Sequence, residues 1–302
     1  MERILLITNA DAGTNDQHAV EAALDVLRRD ADVEVAATSD PDELDEVLSR
    51  RDGRDVVVAG GDGSLHAVVA ALHGRDDLSG PTLGLIPLGT GNDFARGVQI
   101  PLDPARAAEV VGHGREAQVD LLADDAGGIV VNAVHCGIGA DAGREAKPYK
   151  ARLGRLGYAI GALVAGFTSR GQRLRVTADG SVLADGRRRV LQVGVSNGAY
   201  VGGGTPLAPE ADPTDGKLDV MVSFAVGRRD RLMYAAHLKR GTHEERHDVQ
   251  AMRATRVEVR GDHIYCNADG ELTGPTRTRR WELEPGAFSM MLPTAAQAES
   301  SR

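Results

Sequence analysis

The first third of the chain alternates between two hydrophobic periods. Short apolar runs at Ile4-Leu5-Leu6-Ile7, residues 33–37, Val56-Val57-Val58-Ala59 and residues 83–86 read as strands. Between them, apolar residues recur on one helical face. The spacing predicts helices over residues 18–29, where Val20, Leu24 and Leu27 align, over 42 to about 50, and over 64–73. Apolar strands with no polar alternate, separated by helices, belong in a parallel sheet covered on both faces, so an α/β domain is expected here.

From about Val119 the texture changes to strand-like runs set off by Gly, Asp and Asn turns: 129–135, 174–178, 190–196, 218–224, 257–259 and 264–266. Helices are predicted at 156–167 and 231–239. A chain of 302 residues exceeds the size at which one core stops growing. The expected organisation is an α/β domain over 1–119 and a β-rich sandwich over 120–292, followed by a disordered tail over 293–302. The last strand is a candidate to return to the first domain.

Aromatic residues make up only 3% of the chain, which leaves the core to Val, Leu, Ile and Ala. Lys and Arg number 35 against 44 Asp and Glu, and the net charge of −9 argues against a global field that attracts nucleic acid. The two cysteines, Cys136 and Cys266, exclude a disulfide framework and fit a reducing compartment. The apolar run at the N-terminus is too short for a signal-peptide core, and the stretch 156–167 falls short of the ~20 residues that cross a bilayer. The expected location is cytoplasmic.

The sharpest local signal is Gly60-Gly61-Asp62-Gly63-Ser64, set between a buried strand and a helix. Glycines let backbone N–H groups come close to a bulky anion, and the positive end of the following helix adds attraction. A tight turn with no ligand would use the same glycines. The second signal is Gly84-Leu85-Ile86-Pro87-Leu88-Gly89-Thr90-Gly91-Asn92-Asp93-Phe94-Ala95-Arg96, again a strand running into a glycine loop. In a doubly wound sheet both loops lie at the carboxyl ends of strands, where ligands bind. Neither is a Walker A loop or a Rossmann fingerprint, which removes most support for a nicotinamide dehydrogenase. A third signal, Asn267-Ala268-Asp269-Gly270-Glu271, is a common turn by composition alone.

The pair GGDGS and GLIPLGTGNDFAR resembles the diacylglycerol kinase catalytic family, which includes bacterial lipid kinases and sphingosine kinases, and the resemblance extends over residues 1–292. It implies a first domain like that of NAD kinases and phosphofructokinases and an ATP-dependent lipid kinase with a diacylglycerol-like substrate. It also implies that Gly60, Gly61, Asp62, Gly63, Ser64, Leu65 and His66 line the ATP phosphates, with Asn9, Thr38 and Thr90 as further contacts. Asn9 stands in Thr8-Asn9-Ala10-Asp11-Ala12-Gly13, which lacks the proline usual in the family's first loop. By the same resemblance Asp269 is the base for the lipid hydroxyl with Glu271 as its competitor, and a structural Mg²⁺ sits at Asp212, Asp215 and the carbonyl of Lys217. Asp62 and Asp93 are the acids best placed to hold Mg²⁺ with the ATP phosphates, since that hard ion takes carboxylate and phosphate oxygens.

Two further features bear on partners. Arg144, Lys147, Lys150, Arg152 and Arg155 precede the apolar 156–167 stretch and could dock an anionic leaflet at the inner membrane face, or serve as a solvated lead-in to a buried helix. His243-Glu244-Glu245-Arg246-His247 fits the zinc-protease pattern, but its setting is charged and lacks a third ligand. The residues leave open a kinase of a soluble substrate such as NAD, and a non-catalytic nucleotide-binding regulator. Nothing in them sets the oligomeric state.

Overall fold

The apolar runs of the first third become the strands of a parallel sheet. The computed structural model describes residues 1–10, 14–137 and 171–299. β1 (Arg3–Asn9), α1 (Thr14–Leu27), β2 (Asp32–Thr38), α2 (Pro41–Ser49), β3 (Asp55–Gly60), α3 (Asp62–Gly74) and β4 (Thr82–Pro87) alternate strictly. α4 (Asp93–Gly97), α5 (Pro104–His113) and β5 (Arg115–Asp124) follow. The strands run in the order β2-β1-β3-β4, all parallel. Val56, Val57 and Val58 of β3 are wholly buried, which is why that run has no polar alternate.

The helix boundaries have local causes. Asp40 accepts hydrogen bonds from the N–H groups of Asp42 and Glu43, and Pro41 stands where a helix needs no donor, so α2 begins there. Asp103 does the same for Arg106 at the start of α5. α3 differs, since Gly61 is its N-cap and no side chain caps it.

The rest of the chain is antiparallel except for the end of its last strand. It comprises β6 (Ile129–Val130), β7 (Ala133–Gly137), β8 (Gln172–Ala178), β9 (Ser181–Val190), β10 (Gln192–Ser196), β11 (Tyr200–Val201), β12 (Thr205–Pro206) and β13 (Leu218–Ser223). α6 (Arg228–Arg240), β14 (Val249–Ala254), β15 (Arg256–Ala268) and β16 (Glu271–Leu292) complete it. Strand order is β14-β13-β10-β7-β15-β16, with β8 on β15 and β9 on β8. One face carries Val134, Cys136, Val193, Val195, Val220, Val222, Cys266 and Trp281 in a closed core. The opposite face packs Ala133 and Met221 with Leu207, which follows β12, and with Tyr234 of α6.

The chain divides into two compact units: Met1–Leu121 with Asp212–Asp215 and Glu284–Arg302, and Leu122–Ala211 with Gly216–Leu283. β16 therefore ends in the first unit, where Ser289 pairs in parallel with Thr82 of β4. Among the described residues no helix is long and apolar enough to cross a membrane, and both cysteines are free and buried.

Three expectations need correction. The predicted strand over 129–135 is interrupted, because the N–H groups of Val131, Asn132 and Ala133 turn to the carboxylate of Asp269. The runs at 257–259 and 264–266 are one strand, β15, with an irregularity between Arg260 and Ile264. The tail is not wholly irregular: Thr294 and Gln297 cap each other and start a short helix, α7 (Ala295–Glu299). The side-chain amide of Gln297 also donates to the carbonyl of Glu109.

Trp281, the chain's single tryptophan, is 1% exposed in the second unit's core. Trp281→Ala should lower that unit's stability by about 3–5 kcal/mol in urea denaturation followed by circular dichroism. Trp281→Phe should cost far less, because the indole N–H has no hydrogen-bond partner among the described residues.

Candidate functional site

In the first unit the carboxyl ends of the parallel strands lie in register. Asn9 pairs with Thr38, Thr8 with Ala59, and Gly60 with Pro87, so the loops after β1, β2, β3 and β4 leave the sheet side by side. The strand order reverses direction at β1, between β2 and β3, and such a switch point is where doubly wound sheets bind ligands. Asn9 is exposed and Thr38 half-buried at this edge.

The two glycine loops touch backbone to backbone. A Cβ on Gly61 would lie 2.9 Å from the Cα of Gly89, and a Cβ on Gly89 would lie 2.5 Å from the Cα of Gly61. The amide of Leu88 donates to the carbonyl of Gly60, locking the loops at a second point. Gly63 differs, since a Cβ there would meet nothing within 4 Å. Packing thus requires Gly61 and Gly89 but leaves Gly63 unexplained.

At the start of α3 the N–H groups of Ser64 and Leu65 both go to the carbonyl of Gly61. The amides of Asp62 and Gly63 remain as the donors that a helix leaves without an internal partner. Leu65 is 1% exposed, so its side chain belongs to the core and not to the loop surface. His66 is half-buried one position further on, and Thr90 stands exposed in the second loop. Asp62 uses one carboxylate oxygen to accept the N–H of Phe94 at 3.0 Å, holding the start of α4. Asp93 is buried beside that contact.

Sequence reasoning missed Asn92. It adopts a left-handed backbone with φ 52°, and its side-chain amide donates to the carbonyl of Gly89 at 2.7 Å, which shapes the second loop. Asparagine beside glycine, with its tolerance of that conformation, was the available signal.

In the second unit, Asp269-Gly270 is the two-residue turn between β15 and β16, with both φ angles positive, 46° and 95°. That is a type I′ hairpin, for which Asp-Gly is a favoured pair. The carboxylate of Asp269 accepts hydrogen bonds from the backbone N–H groups of Val131 at 2.7 Å, Asn132 at 3.1 Å and Ala133 at 3.0 Å. The same device recurs at Asp179-Gly180, between β8 and β9. There the Asp179 carboxylate accepts the N–H groups of Thr255 and Arg256. Burial works against ionisation of Asp179, but those N–H donors outweigh it and hold the carboxyl below the usual range. Asp269 therefore clamps backbone, while Glu271, just past the turn, is exposed.

Around this clamp lies a buried polar cluster that no sequence pattern announced. Asn132 donates to the carbonyl of Tyr200, and Asn197 donates to the carbonyl of Val131. His135 lies opposite Asn267 across β7 and β15, and its Nδ1 is sealed from solvent with no partner among the described residues. Burial pushes its pKa down to about 4, with the Asp269 carboxylate pulling the other way.

The remaining expected residues fall elsewhere. Asp212 and Asp215 are exposed in the first unit, and Asp212 Oδ1 already accepts from the N–H and hydroxyl of Thr214. Lys217 is exposed in the second. Among the described residues no group of three or more His, Cys, Asp and Glu side chains could hold a metal. His243 begins a 3-10 turn, is fully buried and bonds the carbonyl of Leu207, whereas His247 is exposed, so the pair lacks the helical face a zinc site needs. Arg144, Lys147, Lys150, Arg152 and Arg155, and the helix expected at 156–167, lie outside the described residues.

A parallel sheet with crossed glycine loops, followed by an antiparallel β-rich unit, defines a two-part architecture that known proteins share. Residues 3–123 match the diacylglycerol kinase catalytic domain, and residues 132–292 match the YegS C-terminal NAD kinase beta sandwich-like domain. The chain belongs to the diacylglycerol kinase catalytic-domain family. A Stenotrophomonas maltophilia protein described as "Probable lipid kinase YegS-like" is 34% identical over 254 residues, 80% of each chain. One of the same description from Pectobacterium atrosepticum is 30% identical over 96% of this chain and 95% of its own. A crystal structure of a diacylglycerol kinase from Bacillus anthracis superposes with a TM-score of 0.78 at 25% identity, covering 98% of both chains.

Two outcomes are expected. Gly89→Ala should destabilise the first unit by at least about 2 kcal/mol in thermal or urea unfolding, because its Cβ has backbone to displace, whereas Gly63→Ala should be neutral or slightly stabilising. For His135, the unfolded chain gains a proton below about 6.5 while the folded chain refuses it until about 4. Stability should thus be level above pH 6.5 and fall by up to about 3 kcal/mol on acidification to pH 4. His135→Phe should flatten that slope in denaturant titrations across the window.

Proposed function

We propose that the chain is an ATP-dependent lipid kinase that transfers the γ-phosphoryl group to a lipid hydroxyl, with a diacylglycerol-like acceptor. The observation that carries this reading is the crossing of the Gly61 and Gly89 loops beside the uncapped start of α3. It offers backbone N–H donors and a positive helix end to a polyphosphate without a side chain in the way. The open space at Gly63 fits a ligand's close approach better than it fits any packing need. Family membership and the lipid-kinase descriptions of the relatives point the same way.

On this reading Gly60, Gly61, Gly63 and Ser64 surround the phosphates, with Asn9, Thr38, His66 and Thr90 as flanking contacts. Leu65 contributes packing only. Two carboxylates, Asp62 and Asp93, border a site meant for a polyanion, and that donor set suits Mg²⁺, whose charge would offset the repulsion and neutralise the transferring phosphoryl group. The acceptor oxygen forms its bond to the γ-phosphorus as the bond to the ADP oxygen breaks, and the hydroxyl proton passes to a carboxylate.

That carboxylate is Glu271 in our assignment. Asp269 already accepts three backbone N–H groups, so its role is to hold the turn that presents Glu271, whose exposed carboxylate is available for the proton.

The decisive experiment supplies labelled ATP with a total lipid extract or with NAD and identifies the product by mass spectrometry. Label should enter a lipid. Glu271→Gln should lower kcat by about 10²–10⁴-fold at unchanged stability, and Asp269→Asn should lower both kcat and stability. Gly63→Ala should weaken ATP binding with no loss of fold. Transfer to NAD alone, or full turnover by Glu271→Gln, would overturn the respective part of the reading.

A further inference from the structure

Helix α6 carries one contact face and one exposed face. Its inner side is fixed by Tyr234, which is 3% exposed and donates to Gln192, with Leu238 packed beside it. At 3.6 residues per turn, Arg228, Lys239, Leu232, Arg229, Arg240 and Met233 fall together on the opposite side. All six are exposed, Leu232 at 55% and Met233 at 52%. Leu232 thus lies between two pairs of cations, with Met233 at the edge of the same face. The helix's single acid, Asp230, lies off this face and is turned back toward Gly227.

The composition of this face runs against that of the chain as a whole, whose net charge is −9. Long basic side chains can spread to headgroup phosphates while Leu232 and Met233 enter the acyl boundary between them. A nucleic acid would reward the cations but not two exposed aliphatic side chains on the same face. We propose that α6 is an interfacial anchor that docks this protein on an anionic lipid surface. The argument stands on the chemistry of the helix and does not depend on which acceptor the enzyme phosphorylates.

Sedimentation with phosphatidylcholine vesicles, with and without phosphatidylglycerol, tests it. The intact protein should partition onto the anionic vesicles and be released by rising salt. At about fivefold per basic side chain near such a surface, a variant carrying Arg228→Gln, Arg229→Gln, Lys239→Gln and Arg240→Gln should lose at least about tenfold in partitioning. A second variant, Leu232→Ser with Met233→Ser, should lose binding while keeping the salt dependence of what remains. All six positions are exposed, so the thermal midpoints should hold. Binding to anionic vesicles that both variants retain in full, equal binding of the intact protein to neutral vesicles, or stronger binding to duplex DNA than to vesicles would each overturn the assignment. No ATP is needed for this readout, so its failure leaves the phosphoryl-transfer reading untouched.

Discussion

Two chain segments can cross within van der Waals contact only where neither carries a side chain, and the first unit makes that crossing at Gly61 and Gly89. Much of the unit's upper edge follows from it. The crossing sets how far the loops after β3 and β4 extend, which brings Leu88 to the carbonyl of Gly60 and Asp62 to the amide of Phe94. Those contacts orient the starts of α3 and α4. A side chain at either glycine would have to move backbone, whereas most substitutions nearby would only move other side chains.

The second unit relies on a different device used twice. Asp179-Gly180 and Asp269-Gly270 each turn a hairpin through left-handed backbone, and each aspartate then gathers the N–H groups of a neighbouring segment. A carboxylate that accepts several backbone donors supplies acceptors where a strand would otherwise leave them wanting. At Asp269 the cost is visible in β6 and β7, where the ladder breaks so that residues 131–133 can reach the carboxylate.

The α/β unit was legible in the sequence because its strands are buried on both faces and read as unbroken apolar runs, as Val56-Val57-Val58 does. β9, β14 and most of β16 were not, since polar and charged residues (Arg187, Arg188 and Arg189 in β9, Gln250 and Arg253 in β14, arginines and glutamates in β16) dilute the period. Of the candidate site, the glycine loops stood out through composition, and the Asp-Gly turn through its dipeptide. The clamping role of Asp269 could not be read, because it depends on which backbone amides lie within reach, and those belong to residues more than a hundred positions away. Asn132, Asn197 and His135 stayed hidden for the same reason: Asn132 and Asn197 sit in short bends between strands and His135 within β7, and single polar residues there carry no periodic mark.

The paired hairpins differ in what comes next. After Asp179-Gly180 the chain continues with Ser181, and after Asp269-Gly270 with Glu271. On the proposed assignment, architecture is written in the dipeptide and chemistry in the residue that follows it, so mutation could silence one without touching the other. A lineage could then drift at position 271 and retain a sound scaffold, and under that assignment its descendants would be folded but inert, available for new duties.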